Sequence, residues 1–146
     1  MDAARLTRFL HERIPVTAAM ALEVTDRGPT HLVLRAPIGP NRNPHDTVFG
    51  GTLSTLGLVS GWTLLHAALD DAGLDFKLVG QKSTSEFLAP GLADCVATAS
   101  CDADALASFL ADCRARGRGR ITVDSRIASN DVEVARHTGV FVAVQP

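Results

Sequence analysis

The stretch Pro40-Asn41-Arg42-Asn43-Pro44-His45-Asp46-Thr47-Val48-Phe49-Gly50-Gly51-Thr52-Leu53 concentrates the residues whose types and spacing could do chemistry. It sets a polar loop directly before the longest helical pattern of the chain. The first N–H groups of a helix have no partners inside it, and the helix dipole adds partial positive charge there. Two glycines let a ligand come close to that backbone. The pair Gly50-Gly51 could therefore hold an anion or a developing oxyanion. The same pair would also serve if it were needed only to pack helix against sheet, and sequence physics alone does not choose. His45, beside Asp46, could be a base or a solvated loop histidine.

Elsewhere the candidates are fewer. Arg114, Arg116, Arg118 and Arg120 form the one concentrated charge feature. Cations at a helix C-terminus are favourable by a few tenths to about 1 kcal/mol, so the run could be plain capping. Guanidinium forks also suit phosphate, and the interleaved glycines would expose Arg116, Arg118 and Arg120 to it. His66 lies within the long helical pattern, where a core histidine is the expected reading. His11, His31 and His137 are scattered without ligand spacing, so no metal site is expected. Cys95, Cys101 and Cys113 lack paired spacing and read as reduced packing residues.

The elements that must position these residues follow from periodicity. Leu6, Phe9, Leu10 and Ile14 predict an amphipathic helix over residues 2–14, stopped by Pro15. Alternation over 20–26 and 30–36 around Asp26-Arg27-Gly28-Pro29 predicts a hairpin. Residues 37–49 show no periodicity. Residues 51–71 predict a helix apolar around most of its circumference, hence buried on nearly all sides. Strands are expected at 76–88 and 93–100, a helix at 103–115, and two closing strands at 119–128 and 131–144 that turn at Asn130-Asp131. One apolar helix and about six antiparallel strands suggest an α+β fold, a curved sheet wrapped around that helix, with one extra helix inserted between late strands.

Composition narrows the class. The chain has 146 residues, 46% of them apolar and 21% charged, as expected of a single globular domain over 1–146. A formal charge of −2 gives no basic field for nucleic acid. No unbroken apolar run reaches the roughly 20 residues of a membrane span. Met1-Asp2-Ala3-Ala4-Arg5-Leu6 lacks the apolar block of a signal peptide, so a cytoplasmic location is expected.

The segment Asn43-Pro44-His45-Asp46-Thr47-Val48-Phe49-Gly50-Gly51 resembles the Asn-x-x-x-Thr-Val-Phe-Gly-Gly signature of hotdog-fold acyl-thioester enzymes. Glu86-Phe87-Leu88-Ala89-Pro90 similarly resembles the Phe-Leu-x-Pro step that ends their third strand. Along nearly the whole chain, including Gly61-Trp62 and the arginine run, the sequence is similar to the hotdog family of putative thioesterases, also known as malonyl-acyl carrier protein decarboxylases. The resemblance implies a homodimer, which could pair into a tetramer, with a pantetheine tunnel at the subunit interface. Its substrate would be an acyl thioester of coenzyme A or acyl carrier protein, with no cofactor of the enzyme's own. Carried over, the oxyanion donor is the backbone N–H of Gly50 or Gly51, and the Asn43 amide orients the thioester. Asn41, Thr47, Phe49 and Ser54 are expected to touch substrate, and Arg116, Arg118 and Arg120 to receive phosphates or carrier protein.

One departure bears on the reaction. Many hotdog hydrolases carry an Asp or Glu eight residues after the first glycine, and here that position is Leu58. Between Thr52 and His66 the helical stretch holds no carboxylate. Hydrolysis needs a group that activates water. Decarboxylation of a malonyl thioester needs no base, only an oriented carboxylate and donors for the enolate oxygen. The expectation is therefore a malonyl-thioester decarboxylase in fatty acid synthesis, with thioester hydrolysis as the alternative and a non-catalytic acyl-binding protein as a third reading.

Overall fold

Asp2 starts the first helix by accepting the Arg5 N–H on its side chain at 2.8 Å. The helix, α1, runs Ala3–Arg13, buries Leu6 and Leu10, and ends before Pro15. The computed structural model describes all residues from Met1 to Pro146. A one-turn helix, α2, follows at Val16–Ala19. Periodicity did not anticipate it, because four residues are too few to show a period.

β1 (Glu23–Arg27) and β2 (His31–Ala36) form the expected antiparallel hairpin, with Leu32, Leu34 and Ala36 turned inward. The central helix, α3, occupies Gly50–Asp71. By length and composition it could cross a membrane, yet most of it is buried against its own sheet. Burial stops short of complete. Gly51, Ser54, Thr55, Leu58, Trp62 and His66 fall at helical spacing and remain partly open in one stripe.

β3 (Lys77–Phe87) and β4 (Cys95–Ser100) precede the inserted helix, α4 (Ala103–Arg116), whose N-cap Asp102 accepts the Ala105 N–H at 3.0 Å. β5 (Arg118–Ser129) and β6 (Val132–Val144) turn at Asn130 and Asp131, whose φ angles of 50° and 60° match the two-residue turn that suits strand twist. Six antiparallel strands make one sheet in the order β1-β2-β4-β5-β6-β3. α3 contacts β2 through β6, and one apolar cluster joins helix and sheet.

Two features of this architecture position the site. A Cβ on Gly57 would lie within van der Waals contact of the His137 side chain, so glycine there lets β6 approach the helix closely. β3 is also an edge. Of its eleven residues only Leu78 is buried, leaving a long unpaired border beside the open stripe of α3.

Candidate functional site

The loop without periodicity folds as a miniature hairpin. Phe49 N–H donates to the Asn41 carbonyl at 2.8 Å, Arg42 bridges Val48, and Asn43 N–H donates to the Thr47 carbonyl at 2.8 Å. The Asn43 side chain closes it. Its Oδ1 accepts from His45 N–H at 2.9 Å and Thr47 N–H at 3.1 Å, and its Nδ2 donates to Thr47 Oγ1 at 2.8 Å. This is the local side-chain-to-backbone bonding that asparagine favours in turns. One amide hydrogen of Asn43 makes no bond within the chain. Val48 N–H donates to the Gly91 carbonyl at 2.9 Å, tying the hairpin to the segment that follows β3.

The hairpin delivers the chain to the start of α3. Phe49 is the N-cap and supplies no side-chain cap. Thr52 and Leu53 donate to the Phe49 carbonyl, while the N–H groups of Gly50 and Gly51 have no acceptor. Those two donors stand free at the positive end of a 22-residue helix. The Phe49 ring, 57% exposed, lies against Gly51 so closely that a Cβ there would collide with it.

A cavity of about 420 Å³ opens beside Gly50, lined by Thr47, Val48, Leu53, Phe87, Leu88 and Pro90 among others. A second, of about 390 Å³, lies further along the helix between Leu58, Val59 and Trp62 on one side and Gln81, Lys82 and Ser83 on the other. The Trp62 indole is fixed by donation to the Leu78 carbonyl at 2.8 Å and stacks with Phe9 and His66. Leu58 and Trp62 of the open stripe line the second cavity beside β3, whereas Gly51 and Thr55 line a third, of about 370 Å³, with Val16, Met20, Asn41 and Phe49.

The structure distributes the expected site residues unevenly. Asn43, Thr47, Phe49, Gly50 and Gly51 gather at the helix start. Ser54 lies half-buried one turn on. Asn41 is 3% exposed, with Nδ2 donating to the Met20 and Pro37 carbonyls and Oδ1 accepting from Thr52. Its polar atoms hold the hairpin to the body and leave none for a ligand. His45 is exposed at the hairpin tip, and its ring makes no hydrogen bond.

The arginines divide. Arg114 donates to the Ala72 carbonyl behind the end of α3, and Arg116 lies 4.0 Å from Asp112. Arg118 and Arg120 start β5 on its outer face, Arg120 bonded to Gln81 at 3.0 Å. Arg118 is level with Lys77 across β6, whereas Gly50 faces Phe87 at the other end of β3. Ten residues of strand, roughly 33 Å, separate the two ends.

Sequence reasoning missed the β3 wall and His137. Ser83 and His137 are 54 residues apart and touch at 2.6 Å, Oγ to Nε2. No local signal marks such a pair. Burial pushes the His137 pKa down, with Asp124 pulling weakly the other way, and burial does the same to His66 against Asp70. The unfolded chain therefore binds protons more readily at these two sites. Their contribution is complete above about pH 6.5 and declines as pH falls below it. Thermal melts are expected to lose midpoint between pH 7 and 5.5, before the ion-paired carboxylates of Asp71 and Asp94 protonate. All three thiols are shifted up by burial, which argues against a reactive thiolate.

A helix wrapped by a six-stranded antiparallel sheet, with free backbone donors at the helix start, defines a hotdog-fold protein. Residues 3–145 match the family described as "Putative thioesterase (yiiD_Cterm)", and the chain belongs to that family. Solved structures agree on the fold. A protein of unknown function from Chlorobaculum tepidum superposes at a TM-score of 0.93 with 21% identity, covering 99% of this chain and 94% of that one. A "putative thioesterase" from Shewanella oneidensis gives 0.84 at 22% identity, covering 97% and 96%. A "probable thioesterase" from Pseudomonas aeruginosa gives 0.83 at 22%, covering 98% and 96%.

Proposed function

We propose that this chain acts on acyl thioesters of acyl carrier protein or coenzyme A, and that its reaction is decarboxylation of a malonyl thioester to the acetyl thioester in fatty acid synthesis. The observation that carries this reading is the pair of unpartnered N–H groups at Gly50 and Gly51, at the start of a helix that brings no carboxylate to the adjoining cavities. In the reaction the pair of electrons from the breaking C–C bond flows into the thioester carbonyl. Carbon dioxide leaves, the oxygen becomes an enolate facing those N–H groups, and the α-carbon then takes a proton from solvent. Donors fixed before the reaction stabilise that charge without reorganising. Roofed by a partner's edge, the largely apolar cavity beside Gly50 would leave a substrate carboxylate poorly solvated, which favours its loss.

Hydrolysis is the second reading, and what favours it is a serine hydroxyl in the groove within hydrogen-bond distance of a buried imidazole. Incubation with malonyl and plain acyl thioesters, with carbon dioxide and free thiol assayed separately, tests both. Decarboxylation is expected to outrun thiol release on the malonyl thioester. No carbon dioxide above the buffer control would overturn the malonyl reading.

The open edge supports a homodimer. Val79 and Phe87 are exposed apolar residues on β3, and pairing two such edges antiparallel would cover both and roof the groove. The same pairing brings the arginine end of each chain to the Gly50 end of the other. Sedimentation at micromolar concentration is expected to give twice the chain mass, and a monomer would refute the shared groove. With phosphates or carrier protein bound there, replacing Arg116, Arg118 and Arg120 together is expected to raise KM while leaving kcat nearly intact. High salt should shrink the difference between variant and wild type.

A further inference from the structure

We infer that Ser83 and His137 form a nucleophile–base pair that takes the acyl group of a thioester onto the Ser83 hydroxyl. The inference rests on the groove's being an acyl-thioester site and is independent of the malonyl reading. Ser83 is on the inner face of β3 and lines the 390 Å³ cavity together with Leu58, Trp62 and Lys82. Its Oγ is open to that cavity and 2.6 Å from His137 Nε2. The imidazole is 2% exposed, and Ser83 is the groove-lining side chain that bonds to it.

The environment of His137 fits a base. Its Nδ1 is buried without a partner, and either tautomer leaves that nitrogen unsatisfied. An orphaned buried polar atom is destabilising, and a ring kept only for packing would not require it. Gly57, by lacking a side chain, admits the ring beside α3, and the Ser60 hydroxyl donates to the Gly57 carbonyl at 3.0 Å while Ser125 Oγ lies within hydrogen-bond distance of both. The charged groups nearest His137 along the strands around it are Asp124 and Arg126 of β5, Arg136 and its partner Glu133 of β6, and Lys82 and Glu86 of β3. α3 brings no carboxylate or cation between Gly50 and Leu69. Burial keeps the ring neutral near pH 7, with Nε2 able to accept a proton.

The position also answers the missing acid. Leu58, where many hotdog hydrolases carry a carboxylate, shares the cavity with Ser83. The base is then supplied by the sheet rather than the helix. Ser83 Oγ forms a bond to the thioester carbon as its proton passes to His137 Nε2 and the carbonyl electrons move to oxygen. Collapse restores the carbonyl and breaks the C–S bond, and the thiolate leaves with the proton from Nε2. Water then adds to the acyl-serine, giving its proton to Nε2. The C–Oγ bond breaks, and that proton returns to Ser83. Thioester and water become acid and thiol.

The experiment incubates the full-length protein with acetyl- and decanoyl-coenzyme A, follows thiol release, and acid-quenches samples for peptide mass mapping. An acyl mass increment on the peptide containing Ser83 is expected in the wild type. Ser83→Ala should lose the increment and about 10²-fold or more of thiol release, and Ser83→Cys should recover both in part. His137→Gln should lose the same increment, with circular dichroism and a thermal melt on each variant to confirm folding. Thiol release in the wild type should rise with pH to a plateau reached near neutrality. Equal thiol release from wild type and Ser83→Ala overturns the pair while leaving the groove assignment standing. A wild type that releases neither thiol nor carbon dioxide from any thioester overturns both.

Discussion

Asn43→Asp is expected to leave the 41–49 hairpin standing while lowering kcat on a malonyl thioester by about 10²–10³, or roughly 3–4 kcal/mol. A carboxylate can still accept the His45 and Thr47 N–H groups, and its second oxygen can accept the Thr47 hydroxyl, so the three bonds that close the hairpin persist. What disappears is the one amide hydrogen left over for a ligand. In its place stands a negative charge in the loop that leads to the Gly50 and Gly51 donors, which under the proposed reaction would repel the developing enolate. A donor whose bond strengthens as charge builds acts on kcat more than on binding. Asn43→Ala, by contrast, removes all three hairpin bonds together with the donor. Its loss of rate should therefore come with faster proteolysis at 44–46. Turnover, thermal midpoint and proteolysis measured on both variants separate the two roles, and full activity in Asn43→Asp would remove Asn43 from the site. His45→Ala should retain substantial decarboxylation, since its ring is bonded to nothing and that reaction needs no base.

Gly57→Ala is expected to destabilise the fold by adding a methyl where α3 and β6 meet. In an exposed helix the change would gain about 1 kcal/mol from propensity. At this position the new Cβ falls inside the contact distance of the His137 side chain, in a region where Ser60, Ser125 and Leu56 are fully packed. Overpacking of a close-packed core costs about 1–3 kcal/mol or more, enough to overcome the propensity gain. With the propensity gain subtracted, up to about 2 kcal/mol remains, and the melting midpoint should fall by up to roughly 8 °C for a chain of this size. The imidazole would be displaced from Ser83 at the same time. A Gly57→Ala protein with an unchanged or raised midpoint would show that α3 and β6 are free to separate, and with it that His137 is not rigidly held.

Much of the architecture was legible in the residues. The 3.6-residue spacing of Leu6 and Leu10, the apolar run of α3 and the alternation of β2, β4 and β5 each follow from one face meeting the core. That relation is local, so a linear reading recovers it. Asn130-Asp131 gave the last turn because those side chains tolerate positive φ. The signature from Asn43 to Gly51 located the helix start for a similar reason, since free N–H groups at a helix terminus are a property of the terminus itself.

What the order of residues could not decide was which polar atoms remain available after folding. Asn41 and Asn43 are two residues apart and chemically identical, and both were expected at the substrate. The fold spends every polar atom of the Asn41 side chain on Met20, Pro37 and Thr52, and leaves Asn43 one hydrogen. The arginines, at alternate positions from 114 to 120, part because a helix end and a strand start point their side chains in different directions. The open stripe on α3 exists because β3 is an edge with no further strand to roof it. Ser83 meets His137 only because β3, arriving after α3, pairs with β6 at the far end of the chain. Periodicity reports which face of an element is buried. Partners across 54 residues are set by strand order and register, and those are settled only when the whole sheet closes around the helix.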